Sequence, residues 1–120
     1  MSKKTLVVGA SLKPGRYANM AIELLNQYGH DVVAYGKDKG KVGDIDIQTE
    51  WPEGELFDTV TLYVAPSNQE ELMPKVLALN PRRIIFNPGT ENVVFEQLAH
   101  QAGIGVDEAC TLVMLRTNQY

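Results

Sequence analysis

Apolar and polar positions change period several times along the chain. Thr5-Leu-Val-Val-Gly9 is a short apolar, β-branched run, the pattern of a strand buried on both faces. From Tyr17 to Tyr28 the spacing lengthens: Tyr17, Met20, Ala21, Leu24, Leu25 and Tyr28 share one side of a helix, and Gly29 supplies its stop. Asp31-Val-Val-Ala-Tyr35 returns to strand character and closes a strand-helix-strand unit, whose connection requires parallel pairing. Gly36 to Lys41 reads as a flexible basic loop, and Val42 to Ile47 as a short exposed strand in which Ile45 and Ile47 alternate with acidic residues. Trp51-Pro-Glu-Gly54 reads as a loop, with Trp51 filling a local gap.

In the second half, Thr59-Val-Thr-Leu-Tyr-Val-Ala65 is a strand rich in β-branched and aromatic residues that ends at Pro66. Ser67 and Glu70 have capping-box spacing, but a proline inside a helix costs roughly 3 kcal/mol, so the main helix is expected to start near Pro74. Val76, Leu77 and Leu79 then face the core, and Asn80-Pro81 ends it. Arg82 to Phe86 is a fourth buried strand, followed by the turn Asn87-Pro-Gly-Thr90, a helix from about Asn92 to Gln101, and a brief strand at Ile104-Gly-Val106. Cys110 to Leu115 is an apolar closing segment of unassigned type, in which Val113 and Leu115 could face the core or a dimer partner. The alternation predicts an α/β fold, a doubly wound parallel sheet of about five strands with helices on both faces, in a single domain covering residues 1–120. In such sheets ligands bind beyond the carboxyl ends of the strands where the winding reverses. Residues 9–17, 36–41, 65–68 and 87–91 are therefore the segments that could form a site.

Composition adds exclusions. An apolar fraction of 44% and a charged fraction of 22% exclude the disordered and fibrous classes. No run approaches the roughly 20 apolar residues that cross a bilayer, and Thr5 to Ala10 is too short for a secretory leader, so a cytoplasmic protein without a membrane role is expected. Cys110, the one cysteine, is expected to be a buried thiol. The net charge of −4 opposes general nucleic-acid binding. Its distribution is uneven: residues 1–41 carry +4, and the remainder carries −8. A compact anionic ligand recognised by the first third would need that arrangement, although a solvated surface also produces such asymmetry.

Gly9-Ala-Ser-Leu-Lys-Pro-Gly-Arg16 joins the first strand to the first helix and outlines a phosphate site. Small residues let backbone approach a pyrophosphate, the helix start presents unpaired N–H groups, Arg16 grips phosphate oxygens in pairs, and Lys13 adds a mobile charge. The competing reading is a plain turn with solvated cations. The loop lacks both the G-x-G-x-x-G spacing and the Gly-Lys-Ser/Thr ending, so ATP hydrolysis is unsupported. Dinucleotide enzymes hold the ribose hydroxyls with an acid after the second strand, whereas this chain reads Tyr35-Gly36-Lys37. A cation there suits a ribose phosphate, as in NADP or the 3′-phosphate of coenzyme A.

With these residues the sequence resembles the CoA-binding domain family, small Rossmann-like proteins related to the CoA-binding domain of the succinyl-CoA synthetase alpha subunit. The resemblance runs from about Lys4 to Leu115 and rests on Val8-Gly-Ala-Ser11 with the Arg16-Tyr17 helix start, the basic turn after Tyr35, Leu62-Tyr-Val-Ala-Pro66 and Ile85-Phe-Asn-Pro-Gly89. It implies that Gly9, Ala10 and Ser11 face the pyrophosphate with Lys13, Arg16 and Tyr17 beside them. Gly36 and either Lys37 or Lys39 would then meet the ribose phosphate. Val64, Ala65 and Pro66 would form an apolar shelf, and Asn87, Pro88 and Gly89 the opposite lip. Many relatives carry Asn-Pro after the second strand where this chain has Gly36-Lys37. The ligases of that kind also have a second domain and a phosphorylated histidine. Here His30 and His100 fall at helix ends, and no Ser-His, Cys-His, paired-carboxylate or metal-ligand arrangement is visible. The expected function is a stand-alone binder of coenzyme A or acyl-CoA without independent catalysis, a protein partner or homodimer remaining open. An NADP-linked oxidoreductase and a regulatory domain without ligand are the alternatives.

Overall fold

The computed structural model describes residues 2–120. Strands β1 (Thr5–Ala10), β2 (Val32–Gly36), β3 (Gly40–Val42), β4 (Ile45–Gln48), β5 (Thr59–Leu62), β6 (Arg83–Phe86) and β7 (Gly105–Glu108) form one sheet. Helices α1 (Tyr17–Gln27), α2 (Leu72–Leu79), α3 (Val93–Gln101) and α4 (Thr111–Arg116) connect or follow them. The order across the sheet is β3-β4-β2-β1-β5-β6-β7, with every neighbouring pair parallel except the antiparallel β3 and β4. The winding reverses between β1 and β5, as in a Rossmann-like sheet, and that is where such sheets place their ligands.

The sheet is covered on both faces because its central strands β1, β5 and β6 are buried on both sides. Along β1, Leu6 and Val8 enter one core with Val60, Leu62, Val76, Phe86 and Phe95, whereas Val7 enters the other with Ile22, Leu25, Ala34 and Ile47. The first core lies beneath α2 and α3, and the second beneath α1 and α4. One pleat thus supplies both layers, as period-two alternation dictates.

The sheet has seven strands where the sequence pointed to about five, because Gly36 to Ile47 is not a loop followed by one strand. After β2 the chain runs down β3, turns at Gly43-Asp44 and returns as β4 beside β2. A strand in the sheet plane therefore makes the crossover that a helix makes elsewhere. The fifth-strand run also stops at Leu62 instead of Ala65, and Pro66–Asn68 form a 3₁₀ turn with no side-chain cap, so the Ser67 capping box does not form. Helix α2 starts at Leu72, placing Pro74 in its first turn, where a missing N–H costs nothing because the first four amides have no partner within the helix.

Two side-chain expectations also change. On α1 the buried residues are Ala18, Asn19, Ala21, Ile22 and Leu25, while Tyr17 and Tyr28 are 68% and 50% exposed. The face is turned toward the small residues, which admit the helix close to the sheet. Cys110 is half-buried rather than buried, since it stands in the loop between β7 and α4. Within α4, Leu115 faces the core and Val113 is exposed.

His30 sits at the amino ends of the strands, away from the winding reversal. Its Nδ1 accepts the Lys3 backbone N–H at 3.0 Å, and burial, then the charges of Lys3 and Arg83, hold its pKa below the usual histidine value. Among the described residues no helix is long and apolar enough to cross a membrane, and no group of metal-ligating side chains assembles.

Candidate functional site at the winding reversal

The first strand ends in a bulge: its register with β2 shifts between Val8 and Ala10. Gly9 there has φ +91, and a Cβ on it would lie 2.8 Å from the Tyr63 carbonyl oxygen and 3.0 Å from Val64 Cγ2. Only glycine has both the conformational freedom and the missing side chain this position needs. Gly36 closes the other side, since a Cβ on it would stand 2.5 Å from the Ala10 carbonyl oxygen. The carboxyl ends of β2, β1 and β5 are thereby drawn together with bare backbone between them.

From this point the chain leaves the sheet as the phosphate-type loop. Ser11 Oγ accepts the Lys13 N–H at 3.2 Å, which leaves its own proton free to donate. The Arg16 N–H closes a turn on the Lys13 carbonyl at 3.0 Å. Asn19, buried on α1, donates its amide to the Ser11 carbonyl at 3.0 Å and so ties the loop to the helix. Arg16 is the residue before α1, and no side chain caps that helix end. Its first amides, outside the i to i−4 pattern, therefore face the loop with the positive end of the helix dipole.

The second basic segment meets the first through Leu12 and Gly40. A Cβ on Gly40 would come within 2.6 Å of Leu12 Cδ2, so the start of β3 passes directly under the loop. The turn between β2 and β3, with Lys37 and Lys39, thus lies next to the loop between β1 and α1. Lys13, Arg16, Tyr17, Lys37 and Lys39 are exposed, and Lys41 is ion-paired to Asp46 at 3.3 Å. The approach of Gly40 to Leu12 places the turn that carries Lys37 and Lys39 beside the loop that carries Ser11, Lys13 and Arg16.

The other side of the reversal is uncharged. Ala65, Pro66, Pro88 and Gly89 are exposed, and Val64 is half-buried. Asn87 differs from its neighbours: its side chain points inward, donating to Thr61 Oγ1 at 2.6 Å and the Leu62 carbonyl at 2.8 Å and accepting the Thr111 N–H at 2.9 Å. Asn87 therefore holds the lip in place, and its amide is not available to a ligand. Nearby, the Tyr63 hydroxyl is buried without a hydrogen-bond partner, and burial pushes its pKa up to about 12. Beyond the lip, Glu91 accepts the Gly89 N–H at 2.8 Å, and burial followed by the adjacent Glu108 carboxyl pushes Glu96 above the usual carboxylate range. His30 and His100 are remote from these loops.

Sequence reading missed Asn19, Gln69 and the Leu12–Gly40 contact. Asn19 interrupts an apolar stripe, a usable signal. Gln69, fully buried, lies among exposed polar residues and offered none. The residues of the two loops line neither of two concavities elsewhere. One, of about 360 Å³, lies between Trp51 and α2, and the other, of about 350 Å³, lies beside Lys3, His30 and Tyr120.

Comparison with known proteins follows the same geometry. The family model described as "CoA binding domain" matches residues 3–116. A crystal structure of an uncharacterised protein is 43% identical, with a TM-score of 0.96, and the alignment covers 100% of this chain and 99% of that one. A protein from Thermus thermophilus, cell-free ID.343, is 25% identical with a TM-score of 0.84, over 98% of this chain and 91% of that one. Prb, the PH1109 protein redesigned for binding, is 22% identical with a TM-score of 0.86, over 99% and 86% of the two chains, and shares the fold. No curated protein matches the chain.

Proposed function

The chain belongs to the CoA binding domain family, and from that premise we propose that it is a stand-alone cytoplasmic binder of coenzyme A or an acyl-CoA, a single domain that holds the cofactor without transforming it. The observation that carries this reading is the junction of two basic loops over bare backbone: Gly9 and Gly36 leave no room for side chains, and Leu12 rests on Gly40. The residues fit the cofactor. Ser11 and the open amides of α1 suit a diphosphate, with Lys13 and Arg16 beside them. Lys37 and Lys39 suit the 3′-phosphate, since the residue directly after β2 is Lys37 and not an acid that would favour free ribose hydroxyls. Tyr17 flanks the same loop.

Ser11 and Arg16 would act by hydrogen bonding and charge, and the half-buried Val64 with Ala65 and Pro66 would offer an apolar surface to the rest of the ligand. The proposed role is that of a carrier or sensor that works with a partner.

A thermal-shift series with coenzyme A, dephospho-CoA, NADP and NAD separates the readings, because a ligand that binds the native state raises its melting temperature by mass action. Coenzyme A is expected to give the largest shift, and dephospho-CoA a clearly smaller one. Equal shifts from those two would remove the 3′-phosphate contact, and a larger shift from NADP would favour an oxidoreductase.

A further inference from the structure

Gln69 is fully buried, yet every polar group of its side chain is paired. Its Nε2 donates to the Val64 carbonyl and to the Thr90 carbonyl, each at 2.8 Å, and its Oε1 accepts from Asn92 Nδ2 at 3.0 Å. One side chain thus ties the loop after β5 to the loop after β6. Asn92 extends the tie, because its Oδ1 caps α3 by accepting the Phe95 N–H and its own N–H is held by Glu96 Oε2.

The two loops so joined carry no charge: Tyr63 to Asn68 and Phe86 to Thr90 contain no Lys, Arg, Asp or Glu. On one side of them stand the cations of the phosphate end, and on the other Glu91, Glu96 and Glu108. A ligand with phosphates at the basic end must place its uncharged part here, since carboxylates repel further anions. Fixing the spacing of the two loops in advance removes an ordering cost from binding that part.

We infer that Gln69 and Asn92 are positioning residues that fix the spacing of these two loops for the uncharged pantetheine arm of coenzyme A, separately from the phosphate end. This rests on the proposed binding of coenzyme A. The test compares coenzyme A with 3′-phospho-ADP, the same nucleotide without the arm, by calorimetry on the wild-type chain and on Asn92→Asp. The aspartate still caps α3 but has no amide to donate to Gln69. Wild type is expected to bind coenzyme A more tightly than 3′-phospho-ADP. Asn92→Asp is expected to weaken coenzyme A by about tenfold while leaving 3′-phospho-ADP unchanged, the size of one lost buried hydrogen bond. Gln69→Leu, checked for folding by its melting curve without ligand, is expected to narrow the difference between the two ligands further.

Equal losses for both ligands in Asn92→Asp, or no loss for either, would overturn the inference, as would a wild type that binds the two alike. A wild type that binds neither would instead remove the coenzyme A reading itself.

Discussion

Gly9→Ala is expected to destabilise the protein by roughly 3 kcal/mol and to abolish ligand binding together with it. Two penalties combine. An alanine at φ +91 occupies a region that costs a non-glycine residue about 1–3 kcal/mol, and its Cβ would lie 2.8 Å from the Tyr63 carbonyl oxygen. That oxygen belongs to backbone just beyond a four-residue strand buried on both faces, so it cannot swing aside. Urea unfolding measures the loss as a lower midpoint at unchanged slope. Gly15→Ala is the control, since nothing lies within 4 Å of a Cβ there and its φ is not positive. A Gly9→Ala midpoint indistinguishable from that of Gly15→Ala would refute the account of the bulge.

Asn87→Leu is expected to cost about 3 kcal/mol or more, from a different cause. Leucine fills the space but leaves the Thr111 N–H without its partner and removes one bond each from the Leu62 carbonyl and from the Thr61 hydroxyl, which keeps Thr111 Oγ1 at 2.8 Å; a buried orphan costs roughly 1–3 kcal/mol and each lost bond about 1 kcal/mol. The loss has an address. Thr111 is the first residue of α4, so its amide should lose protection against hydrogen exchange well before the amides of β1 do. Uniform loss of protection across the sheet would show that the network does not anchor α4 in particular.

Much of the fold could be read from the chain because its central strands are plain cases. Thr5 to Val8, Val60 to Leu62 and Ile84 to Phe86 are buried on both faces and mostly apolar, a pattern that a sheet covered by helices satisfies. The strand count fell short at Gly36 to Ile47, where Lys, Asp and Gly signal a loop. Edge strands carry such residues too, for charge and glycine protect an unpaired edge. The start of α2 was misplaced for a similar reason. Proline is penalised only where its amide would be bonded, and periodicity does not reveal which turn it occupies.

The candidate site divides along the same line. Its phosphate end was legible because Gly9, Ser11, Lys13 and Arg16 are contiguous, and because Lys37 and Lys39 stand where a doubly wound sheet brings the next loop. Its uncharged end was legible only as a location. Asn87 faces inward to Thr61 and Thr111, contacts spanning some two dozen residues of sequence, and Gln69 reaches Thr90 and Asn92 from a segment that looks solvated. Long-range pairing of single polar side chains has no period, so no pattern in the chain announces it.

The central claim is that the loop from Gly9 to Arg16 holds the diphosphate of coenzyme A. Calorimetric titration of coenzyme A into the wild-type chain and into Arg16→Ala tests it most directly. One saturable site is expected on the wild type, with an affinity lower by about tenfold to a hundredfold in the variant, the range for one charge-assisted hydrogen bond. Absence of heat from the wild type, or an affinity that Arg16→Ala leaves unchanged, would contradict it.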